Sequence, residues 1–286
     1  MENIFSSIPK TFGGKPLTAF GSKHPEYRLA IDCMSNRQED GGLFIVEGLW
    51  AYEKISARKV EVVHFLFCPE YIKTDRDQAA VGEFIRLAGS AGYLSAALCA
   101  RLSDRDETEG FFAVCRYPDW SVSDVKLAAN NIILVLDGLE KPGNIGTIIR
   151  TAEGAGADAV ISVGGKVRLT HNRLIAASLG ASLTMPVFAM ELGDCLGWLR
   201  ENGFTAYLTL LDGEHFYHES GLYEGRVAIV GGNEIRGISD TWRGRPIPTV
   251  GIRIPMFGDC DSLNVGFAET IVAYEASLRQ KGLVKR

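Results

Sequence analysis

The chain has 286 residues, 46% of them hydrophobic and 23% charged, and a formal net charge of −5. Such a length favours two domains, and such a composition is that of a globular protein. The charge excludes a global positive field, so any nucleic-acid footprint must be local.

No apolar run approaches the roughly 18 residues of a membrane span. Met1 to Ser22 lacks an apolar core followed by a cleavage site, so no secretory signal is expected. Cys33, Cys68, Cys99, Cys115, Cys195 and Cys260 are scattered without metal-type spacing. That pattern predicts reduced, mostly buried thiols in a cytoplasmic protein.

Residues 1–22, rich in Gly, Pro, Ser and Thr, read as an irregular arm. A helix is predicted from Pro25 to Asn36, a buried strand over Leu43 to Val46, and a second helix from Glu47-Gly48 to about Ala57. A strand over Val62 to Cys68, a helix from about Asp75 to Ala88 and a strand over Phe111 to Cys115 complete a small α/β domain over 23–117. Residues 118–130, with Pro118 and several Ser and Asp, read as a linker.

The remainder, 131–286, is strongly α/β. Ile132 to Leu136 is an unbroken apolar strand, of the kind buried on both faces of a parallel sheet. Further strands are predicted over Ala159 to Val163, Val187 to Ala189, Thr205 to Leu210, Val227 to Val230 and Val250 to Ile254, with a helix over Leu192 to Asn202.

Polar and turn chemistry concentrates where strands end, which is where open α/β sheets hold ligands. After Asp137 a Gly/Pro loop leads into a helix whose Ile145, Ile148, Ile149 and Ala152 form a buried stripe. Arg150, six residues past a capping Asn144, points away from that stripe and can face the strand ends. Taken alone, it reads as a surface arginine in an ion pair. A second strand runs into Gly231-Gly232-Asn233-Glu234, where adjacent glycines allow close approach to the backbone and Glu234 adds a carboxylate.

The third stretch is Ile254-Pro255-Met256-Phe257-Gly258, then Asp259-Cys260-Asp261, then Ser262-Leu263-Asn264-Val265. Asp261 or Ser262 is expected to cap a helix whose first turn holds Leu263 and Asn264. Its inward face would carry Val265, Ala268, Ile271 and Val272. Neither G-x-G-x-x-G nor the P-loop is present, which disfavours a nicotinamide enzyme. His215 and His218 lack a third partner nearby, so no metal is predicted.

Together, Asn144…Arg150-Thr151-Ala152, Gly232-Asn233-Glu234 and Ile254-Pro255-Met256…Ser262-Leu263-Asn264-Val265 resemble the three motifs of the SpoU-type RNA 2′-O-ribose methyltransferases, within the TrmH-like SPOUT superfamily. A fainter likeness covers Gly42 to Gly48 and Leu102 to Val114, which look like the family's N-terminal RNA-binding domain. The sequence departs from the usual motifs at Ile235, at Gly266-Phe267 and at Ala176.

The resemblance implies a C-terminal parallel sheet closed by a trefoil knot, an N-terminal α/β domain that binds RNA, and a homodimer formed through the C-terminal domain. It implies S-adenosyl-L-methionine held by Leu210, Gly232, Ile254 and Leu263, largely through backbone groups. Asn144, Arg150, Glu234, Ser262 and Asn264 would form the reaction centre without a metal. Ribosomal RNA is the expected substrate, with transfer RNA or a catalytically silent RNA-binding role as the alternatives. No membrane or DNA partner is expected.

Overall fold

The computed structural model describes residues 9–37, 42–244 and 246–284. The chain packs into two compact units, one of Met1–Pro118 with Thr170–Leu183, the other of Asp119–Leu169 with Thr184–Arg286.

The first unit starts differently from the irregular arm that composition suggests. Thr11–Phe12 (β1) and Lys15–Ala19 (β2) pair antiparallel around Gly13 and Gly14, whose φ angles are 56° and 82°. Two successive positive φ values make the tight turn whose twist suits a hairpin. Residues 1–8 of the expected arm lie outside the described residues.

There follow α1 (Pro25–Met34), β3 (Leu43–Glu47), α2 (Leu49–Arg58), β4 (Val62–Phe67), α3 (Asp75–Leu87), β5 (Ser90–Tyr93), α4 (Ala96–Leu102) and β6 (Phe111–Arg116). Helix α3 begins at a reciprocal cap, with Thr74 accepting from the Asp77 amide and Asp77 accepting from that of Thr74. The sheet runs β1-β2-β5-β4-β6-β3 over a core that includes Phe20, Ile45, Leu66 and Phe112.

The second unit contains β7 (Asn131–Asp137), α5 (Pro142–Ala155) and β8 (Ala159–Val163). After α6 (Asn172–Ala177), which belongs to the first unit, come β9 (Val187–Met190), α7 (Leu192–Glu201), β10 (Thr205–Thr209) and β11 (His215–Phe216). Then follow β12 (Arg226–Gly232), α8 (Asp240–Arg243), β13 (Thr249–Arg253) and α9 (Val265–Gln280). The sheet order is β11-β13-β10-β12-β7-β8-β9, and every neighbouring pair is parallel. The chain moves outward from β7 through β8 to β9, then resumes on the other side at β10. This reversal of order is the kind that opens a crevice at the carboxyl ends of strands.

Alternate residues of β7, β8, β10 and β12 point into a core with Leu199, Phe204 and Trp242. Trp120, Val122 and Val125, in the stretch that composition marks as a linker, pack onto this same core. Five cysteines are buried and Cys260 is exposed.

Candidate active site

Strands β10, β12 and β13 end side by side, and the segments leaving them enclose a cavity of about 700 Å³ with α9 as its far wall. Leu210, Ile252, Leu263, Ala268 and Val272 give it apolar surface. Glu234, Ser262 and Asn264 give it polar groups, and Lys141, Arg236, Arg243 and Arg253 give it cations.

Backbone approaches backbone closely at one point on the wall. A Cβ on Gly232 would lie 2.3 Å from the Gly237 carbonyl carbon and from the Ile238 nitrogen, so only glycine fits there. The loop beyond it is closed by Asn233, whose amide donates to the Gly237 carbonyl at 3.0 Å and accepts at its own carbonyl from Gly237 at 2.9 Å. The Asn233 side chain accepts from the amides of Ile235 and Arg236 and donates to the Gly138 carbonyl at 2.7 Å. Asn233 therefore sets the loop that presents Glu234 at the cavity.

Three polar side chains form a chain along the rim. Asn144 Nδ2 donates to Glu234 Oε1 at 2.8 Å, and Asn264 Nδ2 donates to Asn144 Oδ1 at 3.3 Å. Asn264 Oδ1 accepts from the Gly266 amide at 2.9 Å and is the N-cap of α9. The cap thus falls at Asn264, not at Asp261 or Ser262, and Leu263 and Asn264 precede the helix. Asn144, in turn, is not a cap. Helix α5 is capped at Lys141, with Pro142 first, which places Asn144 in the third helical position.

Of the residues that the sequence singles out, Leu210, Gly232, Glu234, Ile254, Ser262, Leu263 and Asn264 line the cavity, and Asn144 joins them through Glu234 and Asn264. Arg150 is exposed and does not line it. Six residues along an α-helix carry a side chain about 240° around the axis and about 9 Å away from Asn144. Rotation along α5 therefore separates the two residues that the family resemblance places in one reaction centre. The stripe Ile145, Ile148, Ile149 and Ala152 is fully buried, as its spacing predicts.

The inward face of α9 differs from the expected one. Val272, Ala273 and Ala276 are buried with Glu269, whereas Val265 and Ala268 are half-buried and line the cavity. Sequence reasoning also misses Lys141, Thr209, Arg243 and Arg253. For Lys141, Thr209 and Arg253 the available signal was their position at or just after a strand's carboxyl end, whereas Arg243 lies on α8, where no such signal marks it.

A model of the SpoU rRNA Methylase family matches residues 131–274. The chain is 30% identical over 173 residues to the 23S rRNA (guanosine(2553)-2′-O)-methyltransferase RlmP of Bacillus subtilis, covering 60% of this chain and 66% of that one. It is 31% identical over 207 residues to the 23S rRNA (guanosine-2′-O-)-methyltransferase RlmB of Xanthomonas axonopodis pv. citri, covering 71% and 74%. A solved RNA 2′-O-ribose methyltransferase superposes with a TM-score of 0.77 at 30% identity, covering 93% of this chain and 99% of that one.

Proposed function

This chain belongs to the SpoU rRNA methylase family, and from that premise we infer that it transfers a methyl group from S-adenosylmethionine to the 2′-hydroxyl of a ribose in ribosomal RNA. The observation that carries this reading is the Asn144–Glu234–Asn264 chain on the rim of the cavity at the strand ends.

The cavity suits the cofactor. Its volume lies within the roughly 300–1,000 Å³ typical of small-molecule sites, and its walls combine apolar side chains with polar and charged ones. As the family resemblance has it, Leu210, Gly232, Ile254 and Leu263, all of which line the cavity, hold the cofactor largely through backbone groups, which can pair with the polar edge of a nucleoside. S-adenosylmethionine supplies a methyl already activated by a positive sulfur.

What remains for the chain is to position the ribose and to stabilise the charge that develops on a weak hydroxyl nucleophile. Glu234 anchors Asn144, and Asn144 and Asn264 with Ser262 orient the acceptor by hydrogen bonds. Arg150 cannot act as a simple base, because guanidinium holds its proton at any ordinary pH. Its role is to stabilise the developing alkoxide and an adjacent phosphate.

For that role Arg150 must reach a cavity, and its own chain does not bring it to one. A second copy does, in a homodimer formed through the C-terminal region. Support comes from the outer face of α9, where Phe267 and Tyr274 are 63% and 43% exposed two turns apart. The knotted threading that the family resemblance implies is part of the same reading.

Ribosomal RNA is favoured over transfer RNA because both curated relatives described above act on 23S rRNA. Lys141, Arg236, Arg243 and Arg253 at the cavity supply a local cationic footprint on a net acidic chain. The deciding experiment incubates the protein with radiolabelled S-adenosylmethionine and either ribosomal or transfer RNA, then maps 2′-O-methyl positions. Label in ribosomal RNA is the expected result. Label in transfer RNA alone would reassign the substrate, and no label in either would sink the activity.

A further inference from the structure

Glu269 stands on α9 with no exposed surface, between the helix and the sheet. Its Oε1 lies 2.9 Å from Thr209 Oγ1, and Thr209 Oγ1 lies 2.9 Å from the Val230 carbonyl oxygen. Glu269 Oε2 has no hydrogen-bond partner among the described residues.

A hydroxyl carries one proton, and a peptide carbonyl can only accept. Were Glu269 ionised, its carboxylate and the Val230 carbonyl would compete for the single Thr209 proton, and a buried charge would stay unpaired. As a carboxylic acid, Glu269 donates to Thr209 Oγ1, and Thr209 donates to Val230. Every contact in the chain is then satisfied.

The relay ties together the two strand ends that lead into the cavity wall. Thr209 lines the cavity and immediately precedes Leu210, while Val230 immediately precedes Gly231-Gly232. Gly231 is part of the arrangement, since a Cβ there would lie 2.7 Å from the Glu269 carboxyl carbon and from Oε1. We propose that Glu269, in its neutral acid form, is a positioning residue that locks the ends of β10 and β12 in the geometry that binds the cofactor, so that ionisation of Glu269 weakens cofactor binding. This rests on the reading of the cavity as the S-adenosylmethionine site.

The surroundings agree. Burial pushes the Glu269 carboxyl up to about 7, against the opposite pull that the Thr209 hydroxyl would exert by donating to the ionised form. Other titratable or charged groups on the packed elements are Asp137 on β7, Tyr207 on β10, Arg226 on β12, Arg150 and Glu153 on α5, and Tyr274, Glu275 and Arg279 on α9. None of them is among the influences on Glu269. Tyr223 does feel the Glu269 charge, and burial keeps its phenol protonated.

The test is calorimetric binding of S-adenosylhomocysteine between pH 6 and 9 by the wild type, Glu269→Gln and Glu269→Leu. The amide of Gln donates to Thr209 at every pH, and comparison with it cancels the ligand's own ionisation. Wild type and Glu269→Gln should bind alike near pH 6. Above the transition the wild type should lose affinity relative to Glu269→Gln, approaching about tenfold per pH unit. Glu269→Leu should bind weakly throughout.

Wild-type and Gln curves that superimpose at all pH values would overturn the proposal, as would a Leu variant that binds like the wild type. Absence of any binding by the wild type would instead overturn the cofactor reading, and the proposal with it.

Discussion

Asn144 and Glu234, ninety residues apart in sequence, meet with Nδ2 2.8 Å from Oε1. The contact joins the first turn of α5 to the loop that leaves β12, so it fixes two motifs relative to each other. It also holds a carboxylate that would otherwise be free to rotate at the cavity. Replacing Asn144 with Ala removes this tether and the acceptor for Asn264 Nδ2, while leaving the apolar walls intact. Turnover should fall by about 10²-fold, because misplacing reacting groups by an ångström has that effect. Cofactor affinity, measured by calorimetry, should stay within the scatter of the wild type. A matching loss of affinity would place Asn144 in the cofactor wall instead.

Much of this arrangement is legible in the sequence, because strong periodic patterns dominate where the chain is buried on all sides. The stripe from Ile145 to Ala152 and the strand Ala159–Val163 are of that kind. The α9 cap was not legible, since Asp261, Ser262 and Asn264 all have capping side chains and only tertiary contact with Asn144 selects among them. Nor was the allegiance of Thr170–Leu183. Asn172 exchanges hydrogen bonds with Asn36 and donates to the Met34 carbonyl at 2.8 Å, contacts more than a hundred residues away that no local pattern encodes. Glu269 was hidden for a related reason: a glutamate on an amphipathic helix reads as solvent-facing until the packing is known.

Gly232 offers a steric test. A side chain there would collide with the backbone of Gly237 and Ile238, its Cβ only 2.3 Å away, and backbone cannot swing aside as a side chain would. Gly232→Ala should cost about 1–3 kcal/mol in urea unfolding and should abolish cofactor binding. Gly143, in the first turn of α5, has nothing among the described residues within 4 Å of where a Cβ would sit beyond its chain neighbours and the backbone of its own helix. Gly143→Ala should leave stability unchanged or raise it by about 0.4–1 kcal/mol. Equal stability of the two variants would contradict the close approach at Gly232.

Glu269 also makes stability depend on pH. Its carboxyl moves from 4.5, the ordinary value, to about 7 in the folded chain. Between those values the folded state holds a proton that the unfolded state has released, so stability falls as pH rises. The contribution is complete below pH 4.5 and gone once the pH has passed 7, a change of roughly 3 kcal/mol from this one group. Urea midpoints measured from pH 4.5 to 8 should therefore decline more steeply for the wild type than for Glu269→Gln. Parallel profiles would mean that Glu269 is already ionised at the acidic end.

Arg150 provides the sharpest test of how the site is assembled. Its side chain is exposed on α5 and absent from the cavity of its own chain. Arg150→Ala should lower methyl transfer by about 10²–10³-fold, the effect of losing one donor to a developing oxyanion, while cofactor binding persists. Ser262→Ala, which alters a residue lining the cavity, should also impair transfer. The two variants can then be unfolded, mixed in equal amounts and refolded. If the guanidinium serves the neighbouring copy, a mixed dimer contains one complete site, made of Ser262 from the Arg150→Ala subunit and Arg150 from the Ser262→Ala subunit. Half the dimers would be mixed with one working site in two, so activity should return to about a quarter of wild type. If Arg150 acted within its own chain, every site in every combination would lack one residue, and mixing would restore nothing.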